Sequence, residues 1–71
     1  SLTVVSADDV SFGSTLQTTG AVNITAEDVS FTGAATAGTD LIVVATNTVT
    51  ALSTLTATTG KVDINATNAV A

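Results

Sequence analysis

Apolar residues recur along this chain in one spaced opening: an apolar residue, any residue, a second apolar residue, any residue, then Ser or Ala. The opening occurs at Leu2, Val4 and Ser6, at Val22, Ile24 and Ala26, at Leu41, Val43 and Ala45, and at Val62, Ile64 and Ala66. A polar step with Asp or Asn follows each time (Asp8, Asp28, Asn47, Asn68), and then a valine (Val10, Val29, Val49, Val70). Phe12, Phe31 and Ala51 stand two residues further on, and Leu16, Ala35 and Leu55 supply a third position. Period-two alternation carried mostly by β-branched residues predicts strands, three short ones in each copy. A helical reading needs apolar residues three and four apart, and Thr, Asn and Gly interrupt every such window.

The anchors keep nearly constant spacing: Leu2 to Val22 is 20 residues, Val22 to Leu41 is 19 and Leu41 to Val62 is 21. One residue is missing between Ala26 and Val29, and one is added between Leu55 and Val62. Both changes fall in turns, where a stack tolerates them; a shift inside a strand would turn its apolar set outward. A unit this short cannot bury its own apolar face, so successive copies must stack. The pattern therefore predicts an all-β solenoid over residues 1–71, with coils at 1–21, 22–40, 41–61 and 62–71. Leu2, Val22, Leu41 and Val62 are expected to form one inner column. Polar caps are missing from the repeat at both ends, so the chain is expected to be a piece of a longer array.

Composition narrows this picture. Phe12 and Phe31 are the only aromatics, and Trp, Tyr, Met, Cys, His and Pro are absent. That inventory suits a narrow prism filled by Val, Ile, Leu, Ala and Thr better than a closed globule. Without cysteine there is neither a disulfide framework nor a thiolate metal site. Six carboxylates against the single cation Lys61 give a net charge of −5, which argues against nucleic acid and anionic membrane surfaces as partners. The longest apolar run, Leu41 to Ala45, has strand length, far short of the roughly 18 residues of a membrane span.

Gly13, Gly20, Gly33, Gly38 and Gly60 fall between the alternating segments, where a turning chain is expected to use positive φ. The Asp and Asn positions mark another corner, where short polar side chains tolerate left-handed geometry. Stacked about 4.8 Å apart, these side chains are also placed to form an amide ladder.

With its repeat in this form, the sequence resembles the haemagglutinin-type repeats of filamentous haemagglutinin-like adhesins, the bacterial exoproteins exported by two-partner secretion. The resemblance is carried by Leu41 to Gly60 (LIVVATNTVTALSTLTATTG) and Val62 to Val70 (VDINATNAV), with weaker copies at Leu2 to Gly20 and Val22 to Asp40. It implies a right-handed parallel β-helix serving as a fibre shaft, located outside the cell or on the bacterial surface, with no catalytic residues to carry over. Its implied partners are neighbouring coils of the parent chain, with a host-cell or glycan receptor bound through other regions. Autotransporter passengers and surface-layer proteins use related coils and stand as alternatives.

Several residues invite chemistry. Asp8, Asp9, Glu27 and Asp28 share one corner of neighbouring coils, and such a set is a candidate for calcium, which favours several oxygen ligands. The plainer reading is a solvated, charge-rich corner, and no other cofactor is expected. Carboxylates on a coil face also suggest glycoside chemistry, but hydrolysis needs a set separation around a groove, and the chain lacks His, Tyr and Arg. No enzyme is expected. Asn23-Ile24-Thr25 and Asn65-Ala66-Thr67 match the glycosylation sequon with both Asn side chains outward. Outward Thr rows of the kind that match ice are broken, since Ala34 separates Thr15 from Thr54 and Gln17 matches Thr36 and Thr56. Val5, Ile42 and Val44 alternate to the outside, a face suited to lateral packing. Bare coil edges suit end-to-end association.

Overall fold

The computed structural model describes residues 1–70 and is a parallel β-solenoid. Its strands are β1 (Leu2–Val5), β2 (Val10–Phe12), β3 (Leu16–Gln17), β4 (Val22–Phe31), β5 (Ala35–Ala37), β6 (Leu41–Ala51), β7 (Leu55–Ala57), β8 (Val62–Ala66) and β9 (Ala69–Val70). No helix interrupts them among the described residues. One sheet runs in the order β1-β4-β6-β8, with β2 on β4 and β9 on β6; a second runs β3-β5-β7. Every pairing is parallel and joins residues about one coil apart. The last coil was expected to end at Ala71, which lies outside the described residues.

The inner column stands as the repeat predicts, Leu2 opposite Val22, Val22 opposite Leu41 and Leu41 opposite Val62. Val4, Ile24, Val43 and Ile64 form the next column. Burial follows the alternation: in β4, Val22, Ile24 and Ala26 are buried while Asn23, Thr25 and Glu27 are exposed. The core is the inward set of the two middle coils, including Val22, Ile24, Val29, Phe31, Leu41, Val43 and Val49. Alanine sits inward as well, at Ala26, Ala35, Ala37 and Ala45. The Phe12 and Phe31 rings stack, with centroids 5.2 Å apart and planes 8° from parallel. Ala51 is next in that column.

Two features differ from the sequence expectation. In the middle coils the first two segments merge, so β4 and β6 each run continuously through a corner that separates β1 from β2. The coil-to-coil ladder survives that corner by a register shift between Ala26 and Asp28, where the second coil lacks one residue. The glycines also do different work. No described residue, glycine or otherwise, has positive φ. Instead, a side chain at Gly33 would lie 2.7 Å from the Ser14 carbonyl carbon, one at Gly60 would lie 2.7 Å from that of Thr39, and one at Gly38 would strike the Thr19 carbonyl. These corners ride directly on the backbone of the preceding coil, and only a hydrogen fits between.

The stack also shows a two-coil alternation that the single-coil repeat hides. Inner residues at the opening are Leu and Val in the first and third coils (Leu2, Val4; Leu41, Val43) and Val and Ile in the second and fourth (Val22, Ile24; Val62, Ile64). Outward positions alternate too, Val5 and Val44 against Thr25 and Asn65 in one row. Val5 is 78% exposed and Val44 39%, while Ile42 is half-buried.

Candidate functional site

The densest polar cluster sits at the corner between the first and second faces, where β4 and β6 bend. Alternation ends there after Ala26 and Ala45, and the shortened second coil draws Asp28 into register with Thr48. Asp28 Oδ1 accepts three hydrogen bonds: from Asn47 Nδ2 at 2.8 Å, from Thr48 Oγ1 at 2.8 Å and from the Thr48 backbone N–H at 3.2 Å. Asn68 Nδ2 in turn donates to Asn47 Oδ1. The expected ladder therefore exists over three coils, with each amide donating toward the preceding coil. A carboxylate terminates it, because ionised Asp28 has no proton to pass on.

Beyond Asp28 the ladder meets like charge. Carboxylate oxygens of Asp9, Glu27 and Asp28 lie within 4.8 Å of one another. Hydrogen bonding to Asp28 raises the Asp9 carboxyl above its ordinary value of 3.8, and desolvation and the charges of Asp28 and Asp8 push the same way. Asp28 is held below that value, chiefly by the Thr48 hydroxyl; desolvation opposes this, and the bonds from Asn47, Asp9 and the Thr48 backbone support it.

Of the four carboxylates expected at this corner, the structure gathers Asp9, Glu27 and Asp28, and Asp8 is not in the group. Asp8 serves through its backbone, donating its N–H to Ser6 Oγ at 3.2 Å and accepting from the Glu27 N–H at 3.0 Å. Thr48, which supplies two of the three bonds to Asp28, carries no mark in the repeat beyond its place after Asn47. Three carboxylates can offer oxygens to a hard cation, but Oδ1 of Asp28 is already committed to three donors.

The other expected positions lie on the surface. Asn23 and Asn65 are exposed, as are Thr25 and Thr67, the hydroxyl members of their sequons. Gln17, Thr36 and Thr56 stand opposite one another in the second sheet, so that row mixes an amide with hydroxyls. Among the described residues no pocket indents the surface. No protein-family model, curated protein or solved structure matches the chain.

Proposed function

We propose that this chain is a shaft segment of a large extracellular bacterial adhesin or fibrous exoprotein of the filamentous haemagglutinin-like type, and that it works by length and stiffness. The observation that carries the reading is the unbroken inner column from Leu2 through Val22 and Leu41 to Val62, bonded coil to coil by backbone. Such a column extends by adding coils without redesign of the layers already present, which suits a spacer. Function then rests on the stack rather than on any one side chain.

Antibodies raised against the folded segment test the reading on intact source cells. Surface labelling that protease treatment removes is the expected result; a signal only after lysis overturns it. Tandem arrays add a mechanical check, since their long axis should grow by about 4.8 Å per coil at constant cross-section in X-ray scattering.

The approach of Asp9, Glu27 and Asp28 favours a second reading, a calcium-dependent binding module. Melting with calcium and with chelator separates the two. A shaft keeps its midpoint in chelator, whereas a calcium module gains stability by mass action as the ion is added.

A further inference from the structure

Both sequons lie on the first face of the stack, and in each the asparagine and the threonine reach solvent. In β4, Asn23 and Thr25 are exposed while Ile24 between them is buried. Asn65 and Thr67 are likewise exposed on either side of the half-buried Ala66. Alternation thus sets amide and hydroxyl side by side on the outer surface, the pairing that an asparagine acceptor with a threonine two residues on requires. The other two asparagines of the chain differ in both respects. Asn47 and Asn68 are tied into the amide ladder at the corner, and valines, Val49 and Val70, stand two residues beyond them.

The neighbours of the two sequons are the outward apolar residues of the third coil. Asn23 stands opposite Ile42 and Asn65 opposite Val44, one on each side of β6. Ile42 is half-buried and Val44 exposed, so both keep contact with water. The corresponding outward rows elsewhere are polar: Ser11, Ser30 and Thr50 on the second face, Gln17, Thr36 and Thr56 on the third. Two coils separate the asparagines, about 10 Å of rise, and they are offset by two residues along the strand, about 7 Å. Groups attached to both would therefore meet over Ile42 and Val44 without occupying the same space.

We propose that Asn23 and Asn65 are acceptor sites for N-linked sugar and that the attached sugars lie over Ile42 and Val44. The donor is a sugar joined through its anomeric carbon to a phosphate ester. Asparagine Nδ2 bonds to that carbon as the carbon–oxygen bond breaks; the phosphate leaves with the electron pair, and the amide gives up one proton. The glycan adds a bulky, soluble layer to the first face. Its C–H surface removes from water the two aliphatic side chains that the sheet itself leaves there. The assignment rests on side-chain placement in β4, β6 and β8 and stands whether or not the parent is an adhesin.

Intact-mass and fragmentation mass spectrometry of the chain produced in its source organism tests the proposal. Mass added in whole sugar units on Asn23 and Asn65, with Asn47 and Asn68 unmodified, is the expected result. Thr25→Ala should remove the sugar from Asn23 alone and Thr67→Ala from Asn65 alone, each with its β circular dichroism retained. A chain without sugar at either site overturns the proposal, as does sugar that persists on Asn23 in folded Thr25→Ala. Placement of the sugars is read from melting. The modified chain should melt above the same chain made in a host without protein glycosylation, and replacing Ile42 and Val44 together by Thr should shrink that difference. A difference that the double replacement leaves unchanged overturns the contact with Ile42 and Val44.

Discussion

Asn47 donates its side-chain N–H to Asp28 Oδ1 across 2.8 Å, joining residues 19 apart in sequence and one coil apart in space. That bond places the amide ladder on a carboxylate whose other neighbours, Asp9 and Glu27, are also acidic. The corner therefore links the second coil to the third by hydrogen bonds and sets like charges between the first and the second.

The two aspartates give stability opposite slopes with pH. Asp9 has a raised carboxyl in the folded chain, so the fold binds more protons than the unfolded chain in the window just above 3.8, and stability rises as pH falls through it. Asp28 is depressed, so its stabilising bonds are fully present above 3.8 and are lost as pH falls below that value toward its folded one. Melting midpoints against pH should pass through a maximum close to 3.8, the ordinary value at which the two limbs meet. Asp28→Asn keeps an acceptor for Asn47 and Thr48 and supplies a donor toward Asp9, so it should flatten both limbs. A variant that retains the wild-type profile would place the titration elsewhere.

Glycine substitutions should divide by what lies beneath the corner. Gly38→Ala directs a methyl group into the Thr19 carbonyl, and the backbone of the preceding coil has to shift. A loss of about 1–3 kcal/mol is expected in denaturant melts, as for other overpacked sites. Gly13→Ala meets nothing within 4 Å and has no positive φ to oppose it. That change should be neutral or stabilise by up to about 1 kcal/mol, through the restricted unfolded chain. Equal losses at the two positions would contradict the close-approach account.

The inner wall was legible in the sequence because strand periodicity alone fixes which side chains share a face. Leu2, Val22, Leu41 and Val62 fall into their column on that basis, and the residue missing after Ala26 reappears as the register shift before Asp28. Corners are different. A sequence marks where the chain turns but not what the turn rests on, so Gly33, Gly38 and Gly60 read as turn positions with positive φ when they are points of close approach. Which of two adjacent carboxylates faces Asp28 depends on local rotation at the corner, and Asp9 rather than Asp8 is the one that does. The role of Thr48 arises from the one-residue shift itself, since equal spacing would have set Asn47 opposite Asp28.

The two middle coils trade size between neighbouring inner positions, a trade the first coil, with Phe12 and Leu16 together, does not make. The second coil carries large Phe31 and small Ala35, whereas the third carries small Ala51 and larger Leu55 in the corresponding places. Ala51→Phe alone adds a ring to a layer that Leu55 already fills, and a loss of about 1–3 kcal/mol is expected. Adding Leu55→Ala to that variant gives the third coil the composition of the second and should recover most of the loss. Denaturant melts of the two single variants and the double variant form the cycle that measures this coupling. Additive losses would mean that the two positions do not share space.

Protection against amide exchange should be graded along the stack. The middle coils hold every fully buried large side chain, and each has a hydrogen-bonded coil on both sides. Opening β4 or β6 therefore breaks two ladders and exposes Ile24, Phe31, Leu41 or Val43, whereas opening β1 breaks one and exposes side chains already partly wet. A nearest-neighbour stack frays from its ends under these conditions. In dilute solution, amides of Val22 to Phe31 and Leu41 to Ala51 should exchange only through global unfolding, and those of Leu2 to Val5 through faster local opening. Uniform protection in dilute solution would mean that the first coil is held by something other than its single neighbour.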